Sequence, residues 1–422
     1  MDAFLGAAYL IAVGAVVVFS ISLGLMTWEH RRYARSCMRG LAQHRPAGHV
    51  RLFAPCKGID LDFETNLRAL LEQDYGDYEV TFIVESIDDP AHAIIHRVIA
   101  AYPNTPTQVM IAGRATDCGQ KVHNLRVATQ HLSPRVEYLA FVDSDACPRR
   151  EWLRSMVAQL DKSGTGVVTG YRWFTPNNPT VANALVYSMN CDMVSLLTHD
   201  GHYLIWGGSW AIRRDVFDEV ELQRAWEGTL SDDLVASRLM RRLKKMVRFE
   251  PSCVVASPLD VSLWHAIAFI RRQYLITRLY TFNLWLFSLL GATFMNGVWL
   301  GNLGIVAWCL LKGTHSPWIP AAVSAILYLV TVCRGWLRQS LVKTYFPDWN
   351  KTSRFVQWVD ILGNPLVELA HWMGILISAF GYRIHWRGIR YDVSPGGQVR
   401  QIVRAHEAEP PAETPASWPR AA

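Results

Sequence analysis

The sequence has few charged residues. Asp, Glu, Lys and Arg make up 18% of its 422 residues, below the roughly 25% of a typical soluble domain. Half of the residues are apolar, and the mean hydropathy is +0.09. This composition argues against a disordered chain, an acidic tail protein and an ordinary cytosolic enzyme. We therefore expect part of the protein to lie in lipid.

Paired cysteines are also missing. The eight cysteines are scattered, and the sequence contains no Cys-x-x-Cys pair. This spacing argues against a zinc ribbon and against a dithiol redox motif. A reducing compartment is the simplest setting for such unpaired thiols. The sequence also has no internal repeat.

Charge is absent from one long segment near the N-terminus. Residues 3–28 contain no charged side chain, and this stretch exceeds the roughly 20 residues that span a bilayer as a helix. Arginines follow the apolar segment instead of preceding it, unlike in a secretory signal. Because cations mark the cytosolic side, the N-terminus is predicted to lie outside and the rest of the chain to begin in the cytosol.

A second apolar region lies in the C-terminal part of the chain. Residues 280–311 carry no charge and predict either one long tilted helix or a tight hairpin of two. A further apolar segment, 317–332, ends before a group of cations. The segment 361–380 contains Glu368 and His371, and since charge is costly in a lipid-facing span, we predict an interfacial or re-entrant element there.

Between these regions lies a block in which apolar strands and helices alternate. The predicted strands cover 49–54, 78–85, 107–112 and 136–142, and the predicted helices cover 63–72, 91–101 and 120–131. Such alternation predicts parallel βαβ units and an α/β fold. Ligands of these sheets bind beyond the carboxyl ends of the strands.

The chain is thereby divided into six predicted parts. They are an N-terminal transmembrane anchor (1–28), a juxtamembrane linker (29–48), a cytosolic catalytic domain (49–265), an interfacial Arg/aromatic motif (266–279), a C-terminal membrane region with two or three transmembrane helices plus interfacial segments (280–393), and a disordered tail (394–422). The tail prediction rests on its content of Pro, Ala, Glu and Arg.

Acidic residues follow the predicted strands. Asp89, in Asp88-Asp89-Pro90, is also a good helix cap, which is the simpler interpretation. Asp143 and Asp145 form an Asp-x-Asp pair directly after an apolar strand. Turns are rich in Asp, but at a strand end such a pair is a candidate site for a hard divalent cation.

Two further motifs come later in the chain. Asp232 and Asp233 follow a serine before a helical stretch, where the plain alternative is again a helix cap. Arg272 and Tyr274 lie in Arg-Arg-Gln-Tyr just before the apolar region, where cations and interfacial aromatics commonly flank a membrane. Taken together, the acidic pairs at element boundaries point to a site.

The order of these motifs resembles that of the ceramide glucosyltransferase family. The resemblance also extends to related family 2 glycosyltransferases, including synthases that decorate hopanoid lipids. It runs from the N-terminal apolar segment to a C-terminal Trp-Arg-x-x-x-Tyr signature, and the matching motifs are Lys57-Gly58, Asp89-Pro90-Ala91, Lys121-x-x-Asn124, Asp143-Ser144-Asp145, Gly170, Gly208-Ser209, Asp232-Asp233 and Trp386-Arg387-Gly388-x-x-Tyr391.

The resemblance implies an inverting glycosyltransferase with a GT-A, Rossmann-like fold. Asp233 matches the catalytic base, and Asp232 lies where the family often has Glu. Asp143 matches the first Asp of the metal and diphosphate site, and Asp145 completes the pair for Mg²⁺ or Mn²⁺. Asp89 matches the residue assigned to the nucleoside of the donor.

Other matched positions line the donor pocket of the family, namely Lys57, Lys121 and Asn124. The family's Arg-Trp motif is changed here, since the chain offers Arg272 for the diphosphate-contacting cation and Tyr274 in place of the Trp. This departure leaves the acceptor and the identity of the sugar open.

The activity implied by the resemblance is transfer of a hexose, glucose from UDP-glucose, to the hydroxyl of a membrane lipid, ceramide. The alternatives are another lipid acceptor (a hopanoid, diacylglycerol or polyprenyl phosphate) or UDP-GlcNAc or UDP-Gal as donor. A synthase that extrudes a polysaccharide usually needs more membrane helices. From another class, a membrane-anchored nucleotide-sugar-binding or transport protein stays open.

The predicted setting is a multi-pass protein of a bacterial inner or plasma membrane, with its catalytic domain in the cytosol. Its predicted partners are a nucleotide-sugar donor and a lipid acceptor, and no nucleic acid.

Overall fold

We describe a computed structural model of the chain, which covers residues 2–40, 46–198, 204–313, 317–347 and 353–404. The helices are α1 (Asp2–Gly40), α2 (Phe63–Leu71), α3 (Pro90–Ile99), α4 (Gln120–Ala128), α5 (Trp152–Leu160), α6 (Val181–Val194), α7 (Arg214–Glu219), α8 (Leu222–Ala225), α9 (Asp232–Arg242), α10 (Leu263–Tyr280), α11 (Phe282–Lys312), α12 (Trp318–Tyr345), α13 (Arg354–Leu362) and α14 (Asn364–Ser378).

The strands form one large sheet and two small ones. They are β1 (His49–Pro55), β2 (Tyr78–Val84), β3 (Thr107–Ile111), β4 (Val136–Val142), β5 (Thr165–Thr169), β6 (Arg172–Pro176), β7 (Ser209–Arg213), β8 (Met246–Phe249), β9 (Val255–Leu259), β10 (Arg383–Trp386), β11 (Ile389–Val393) and β12 (Val399–Arg404). The predicted early strands and helices are therefore present.

The large sheet has seven strands in the order β3-β2-β1-β4-β7-β5-β8. Strands β3, β2, β1 and β4 are parallel, and β7 is antiparallel to both of its neighbours. Strand β1 is buried along its whole length, as expected for a parallel strand covered on both faces. Because parallel strands share a carboxyl edge, the residues after β1, β2 and β4 lie along one side of the sheet.

Helices cover both faces of this sheet. Helices α4 and α9 pack with buried residues of one face, and α10 reaches the same core through Leu275 and Leu279. Helices α2, α3 and α5 cover the other face. The sheet is thus the middle layer of an α/β domain, and the predicted fold class is confirmed.

Three helices are long and apolar enough to cross a membrane, namely α1, α11 and α12. Helix α11 is one continuous helix of 31 residues, which decides between the single helix and the hairpin left open by the sequence. Helix α1 continues to Gly40, so the first part of the predicted linker is helical. Its side chains Ala34 and His30 are buried against the rest of the protein, which explains why the helix does not end at the membrane boundary.

The segment around Glu368 folds as two helices instead of one straight span. Helices α13 and α14 meet at 84°. The break falls at Gly363, directly before the Asn364-Pro365 start of α14. Such a bent pair is either a broken span or a re-entrant loop, so the interfacial or re-entrant element stays a prediction.

The C-terminal end of the described chain differs from the prediction. Residues placed in the membrane region up to 393 and in a disordered tail from 394 form the antiparallel sheet β10-β11-β12. Ile384, Ile389 and Tyr391 of this sheet are buried in the core of the α/β domain, because apolar residues alternate along short strands whose other positions are polar. The predicted tail beyond residue 404 lies outside the described residues.

Candidate active site

A lysine and three carboxylates form the centre of the site. The Lys121 ammonium, at the start of α4, lies 2.8 Å from an oxygen of Asp143 and 3.1 Å from an oxygen of Asp232. It also donates to the backbone oxygen of Gly207 at 2.9 Å. Asp143 follows β4 and Asp232 begins α9, so the fold brings together residues that are distant in the sequence. We call Lys121, Asp143, Asp232 and Asp233 the acidic core.

Asp233 is the more accessible of the two adjacent carboxylates. One of its oxygens accepts from the Leu234 amide at 2.7 Å and from the Ser231 hydroxyl, and the other accepts from the Gly207 amide at 2.7 Å. Asp233 is partly exposed, whereas Asp232 is only 3% exposed. A substrate can therefore reach Asp233 but not Asp232.

Glycine at position 207 allows this close packing. A Cβ atom there would lie 2.8 Å from the Lys121 nitrogen and 2.9 Å from an oxygen of Asp233. Both distances are shorter than normal contacts, so a side chain at this position would displace the lysine or the carboxylate. The glycine thus permits the backbone to bridge Lys121 and Asp233.

The electrostatics of the acidic core differ from one group to the next. Burial acts to raise the pKa of Asp143, but the cations Lys121 and Arg172 outweigh it and leave that pKa below its ordinary value. Burial raises the pKa of Asp232 to about 7, with Lys121 opposing and the neighbouring carboxylates adding to the rise. Burial acts to lower the pKa of Lys121, but the surrounding carboxylates raise it overall. Lys121 is therefore charged at neutral pH.

The Asp143-x-Asp145 pair has free carboxylate oxygens. Asp145 receives Arg172 at 3.3 Å on one oxygen, while its other oxygen is buried with no hydrogen-bond partner among the described residues. One oxygen of Asp232 is likewise buried and without a partner in the described chain. Because a hard divalent cation prefers carboxylate oxygens, these groups fit such an ion.

Three arginines converge next to Asp145. The Arg172 guanidinium lies over the Trp206 ring at 4.7 Å, and Arg387 donates to Asp60 at 2.6 Å and to the Lys57 carbonyl at 2.7 Å. Arg272 interacts electrostatically with the other two arginines and with Asp145. The arginines thus line one side of the acidic core.

Arg272 is the arginine that is free to take a further anion. Its guanidinium makes no hydrogen bond or ion pair with any residue that the structure describes, and it lies over the Phe269 ring at 5.3 Å. Burial and repulsion by Arg172 and Arg387 lower the pKa of Arg272 to about 10. It remains charged at neutral pH, so an incoming diphosphate would relieve the repulsion.

A second group of polar residues lies at the ends of β1 and β2. One oxygen of Asp89 accepts from the amides of Gly58 and Ala91, each at 2.9 Å. Asp89 therefore does cap α3, as the simpler interpretation held, and it also connects that helix to the loop after β1. Lys57 pairs with Glu85 at 2.5 Å. The two predicted residues Asp89 and Lys57 therefore both lie on the β1–β2 side of the arginines.

Two other predicted residues are less close to the acidic core. Asn124 is buried within α4 and accepts from Gln120 at 2.8 Å. No hydrogen bond joins Tyr274 to the acidic core among the described residues. Its ring packs toward Gly374 of α14, and it interacts electrostatically with Glu368, Asp192 and Tyr171.

The structure adds residues that spacing did not identify. Arg172 and Asp60 carried no motif, and Arg387 belonged to a recognised signature without an assigned role. Glu85 receives both Lys57 and, at 2.6 Å, Arg404. Only Arg387 had a usable signal in the sequence, because the others depend on contacts across the fold.

Comparisons with known proteins were made for the whole chain. The model of the family "Glycosyl transferase family 21" matches residues 11–399. A ceramide glucosyltransferase of Komagataella phaffii (strain GS115) is 33% identical over 61 residues, which are 14% of this chain and only 12% of that protein. The crystal structure of GalNAc-T7 with UDP, GalNAc and Mn²⁺ aligns with 58% of this chain and 51% of that chain, with 9% identity and a TM-score of 0.40.

The family match covers most of the predicted anchor, the α/β domain, the two later spans and the first strands of the C-terminal sheet. It confirms the predicted resemblance and the enzyme class. The chain therefore belongs to glycosyl transferase family 21, and it is a glycosyltransferase whose α/β domain is accompanied by three helices able to cross a membrane.

Proposed function

We propose that the protein transfers glucose from UDP-glucose to the hydroxyl of a membrane lipid, ceramide, with inversion at the anomeric carbon. The observation that carries this proposal is Asp233, a partly exposed carboxylate oriented by hydrogen-bond donors from Ser231, Leu234 and Gly207. Tyr280, at the end of α10, accepts from the amides of Leu230 and Ser231 at 2.9 and 3.0 Å. The site is thereby tied to the helix that precedes α11.

The donor would lie across the arginines and the ends of β1 and β2. Its leaving group is a nucleoside diphosphate, on which negative charge builds as the glycosidic bond breaks. Arg272 is positioned to stabilise this charge, which is the kind of preorganised electrostatics that lowers a barrier. We assign binding of the nucleoside part of the donor to Asp89, Lys57 and Asn124. Lys121 lies at the centre of the donor pocket in this assignment.

A divalent cation, Mg²⁺ or Mn²⁺, would be bound by Asp143 and Asp145, whose carboxylates carry the free oxygen described above. When bound, the cation neutralises charge on the diphosphate. Arg172 limits the negative charge of this pair when it donates to Asp145.

Asp233 would act as the general base. It takes the proton of the lipid hydroxyl as the hydroxyl oxygen attacks the anomeric carbon, and the bond to the diphosphate breaks with its electron pair leaving on UDP. A single displacement from the opposite face inverts the configuration. Asp232 lies too deep to meet the acceptor and instead positions Lys121.

The membrane arrangement supports the same reaction. Arginines follow the first apolar segment, which by the positive-inside rule supports a catalytic domain on the cytosolic side. UDP-glucose is a cytosolic metabolite, and we assign the protein to a bacterial inner membrane. Because the family is one of glycosyltransferases, we do not retain the binding or transport alternative.

The first experiment changes the base. We expect Asp233→Asn to lower the rate of glucose transfer by about 10² to 10⁴, while UDP-glucose still binds in calorimetry with a similar Kd. Asp218→Asn, on the exposed surface of α7, is the control and should leave the rate unchanged. A rate for Asp233→Asn within tenfold of the unchanged protein would remove Asp233 from the mechanism.

The second experiment identifies the acceptor. The chain is expressed in a host that lacks ceramide, and lipids are analysed by mass spectrometry with and without added ceramide. A hexosylceramide that forms only with added ceramide supports the proposal. A new hexosyl lipid that forms without ceramide would mean that the acceptor is a hopanoid, diacylglycerol or polyprenyl phosphate. The mass of the transferred sugar would distinguish hexose from N-acetylhexosamine.

A further inference from the structure

We propose that a cleft outside the donor site binds the phosphate headgroup of an anionic membrane phospholipid. The cleft lies between the end of α14, the sheet β10-β11-β12 and the junction of α10 with α11. We call it the arginine cleft, and define it by Arg271, Arg278, Tyr382, Pro395 and Arg400. The inference goes beyond the proposed function and does not depend on which lipid accepts the sugar.

The arginine cleft consists of two adjoining cavities. Their volumes are about 910 and 690 Å³, and Tyr382 and Pro395 belong to the walls of both. These volumes are within the range of known ligand sites, roughly 300–1,000 Å³. The cleft therefore has room for a polar headgroup.

The charge of the cleft is strongly positive. Five arginines line the two cavities, and among the described residues the single lining carboxylate is Asp392. Asp392 lies 3.5 Å from Arg383, so these two charges offset one another. No carboxylate of the described chain forms an ion pair with the four other arginines, which are Arg238, Arg271, Arg278 and Arg400. An anion is thus the ligand that this cleft would attract.

Capping of α14 accounts for only part of this charge. Arg271 donates to the Phe380 carbonyl at 2.8 Å, and Arg278 donates to the carbonyls of Ala379 and Gly381. The C-terminal end of a helix carries about half a negative charge, which two guanidinium groups exceed. Each guanidinium has five N–H donors, so donors are left for phosphate oxygens, which arginine binds well.

Arg400 has no such structural role. Asp392 is paired with Gln401 and Val393 with Val399, so Arg400 is the extra residue of a β-bulge in β12. A bulge re-aims the side chain of the residue that it inserts, and the Arg400 side chain lines the first cavity. It is exposed and makes no hydrogen bond or ion pair with the part of the chain that the structure describes. Its whole donor set is therefore available to a ligand.

The apolar surroundings favour a lipid over a soluble phosphate. Phe282 and Trp285 line the second cavity and lie in the first turn of α11, which is long and apolar enough to cross a membrane. Phe282, Phe380 and Tyr382 are exposed. A phospholipid can place its headgroup among the arginines and its hydrocarbon chains along α11. Basic pockets beside membrane helices commonly bind anionic lipid headgroups in this way.

The cleft adjoins the segment that carries the proposed base. Tyr280 lines the second cavity, and its hydroxyl donates to the Gly397 carbonyl at 2.9 Å and accepts from the Ser231 amide at 3.0 Å. Arg238 of α9 lies over the Tyr280 ring at 5.3 Å. The cleft is therefore built onto the start of α9, where Ser231 orients Asp233.

The test measures lipid binding to the purified full-length protein in detergent. Phosphatidylglycerol or phosphatidylcholine is titrated, and native mass spectrometry measures the bound lipid. We expect the unchanged protein to bind phosphatidylglycerol at least tenfold more tightly. Arg400→Gln should raise its Kd about fivefold, the effect of one arginine near an anionic lipid, and the double variant Arg271→Gln, Arg400→Gln about 25-fold. Arg68→Gln, on the exposed surface of α2, is the control and should bind like the unchanged protein.

Further variants separate binding from capping of α14. Arg271→Lys keeps the charge, so it should bind phosphatidylglycerol more tightly than Arg271→Gln does. The melting temperature without lipid shows whether each variant is folded, and Arg400→Gln should melt like the unchanged protein. Weaker binding in Arg271→Gln alone, with a normal Kd in Arg400→Gln, would leave Arg271 as a cap of α14 and overturn the inference.

A competitor distinguishes the lipid from a soluble phosphate. Glycerol 3-phosphate carries a phosphate without hydrocarbon chains, and a large excess of it should leave phosphatidylglycerol bound. Displacement at an equal concentration would assign the cleft to a soluble phosphate, and equal affinity for the two lipids would remove the preference for an anion. Either result would overturn the inference without affecting the chemistry proposed at Asp233, since no glucose transfer is measured.

Discussion

At the scale of single residues, the two adjacent aspartates have different environments and different expected roles. Asp232 is buried and contacts Lys121, whereas Asp233 is accessible and receives three donors. Both lie at the start of α9, where Ser231 is the N-cap residue. Adjacent identical side chains can thus serve separate purposes because a helix directs them to different sides.

The raised pKa of Asp232 predicts a pH dependence. Burial raises this pKa to about 7, so Asp232 gains a proton as the pH falls through about 7 and no longer attracts Lys121. We expect kcat/KM for UDP-glucose to decrease on the acid side of about pH 7. Asp232→Asn imitates the protonated form at every pH, so its rate should be low and should lack this decrease in a pH–rate profile.

The same shift acts on stability with the opposite sign. The pKa of Asp232 in the folded state lies above that of an unfolded aspartate, about 3.9. Protonated Asp232 therefore stabilises the folded state below about pH 4, and this contribution is lost as the pH rises from about 4 to about 7. Asp232→Asn should therefore melt at a higher temperature than the unchanged protein at alkaline pH.

An acid decrease in rate that persists in Asp232→Asn would assign that titration to another group.

The Arg272 guanidinium, which has no hydrogen-bond or ion-pair partner in the part of the chain that the structure describes, predicts a charge effect on the transition state. Arg272→Ala should lower kcat by about 10² to 10³, the range seen when one preorganised donor is removed. Arg272→Lys keeps the charge but not the planar donor pair, so it should recover part of the rate. The exposed Arg68 of α2, changed to alanine, is the control. Equal activity of Arg272→Ala and the control would contradict a role at the diphosphate.

At the scale of elements, the accuracy of prediction follows the length of the apolar pattern. The predicted strand over 136–142 coincides with β4, and the predicted start at 49 coincides with that of β1, because most residues of both strands are apolar. Strand β10 has only four residues, and its polar Arg383 and His385 alternate with Ile384 and Trp386. So short an alternation cannot be distinguished from the end of a membrane region.

The turn between β10 and β11 connects the C-terminal sheet with the donor side. Arg387 and Gly388 both have positive φ angles, 48° and 74°, as in the two-residue turns that join antiparallel strands. From this turn the Arg387 guanidinium contacts Asp60 and the Lys57 carbonyl. No motif spacing predicts that contact, since the partners are more than 300 positions apart.

The Arg387→Asn variant distinguishes the role of this residue in the turn from its contact with Asp60 and Lys57. Asparagine tolerates the left-handed conformation, so β10 and β11 should remain paired, while the bridge to the loop after β1 is lost. We expect the KM for UDP-glucose to increase about tenfold, as for a hydrogen bond to a charged group, with little change in melting temperature. Arg383→Asn, on exposed β10, should change neither value. A fall in melting temperature without a change in KM would make Arg387 purely structural.

At the scale of the whole molecule, α1 is more than a membrane anchor. Its C-terminal half contacts α12 and the catalytic domain, and the Tyr33 hydroxyl donates to the Phe249 carbonyl at 2.7 Å. The apolar run of α1 was evident in the sequence, but its packing partners were not, because the buried side chains Thr27, His30 and Ala34 belong to no motif. The orientation of the catalytic domain against the membrane helices depends on such contacts.

His30 provides the test of this coupling. It is 2% exposed, and its ring nitrogens are 2.6 Å from the Leu197 carbonyl and 2.5 Å from the Tyr345 hydroxyl. His30→Ala leaves both groups buried without a partner, which costs about 1–3 kcal/mol for each, so the melting temperature in detergent should fall by several degrees. The exposed neighbour Arg32, changed to alanine, should melt like the unchanged protein. If α1 were only a tether, the two variants would melt alike and both would keep full activity. A simultaneous loss of stability and of lipid glucosylation in His30→Ala alone would instead show that α1 aligns the catalytic domain with the bilayer.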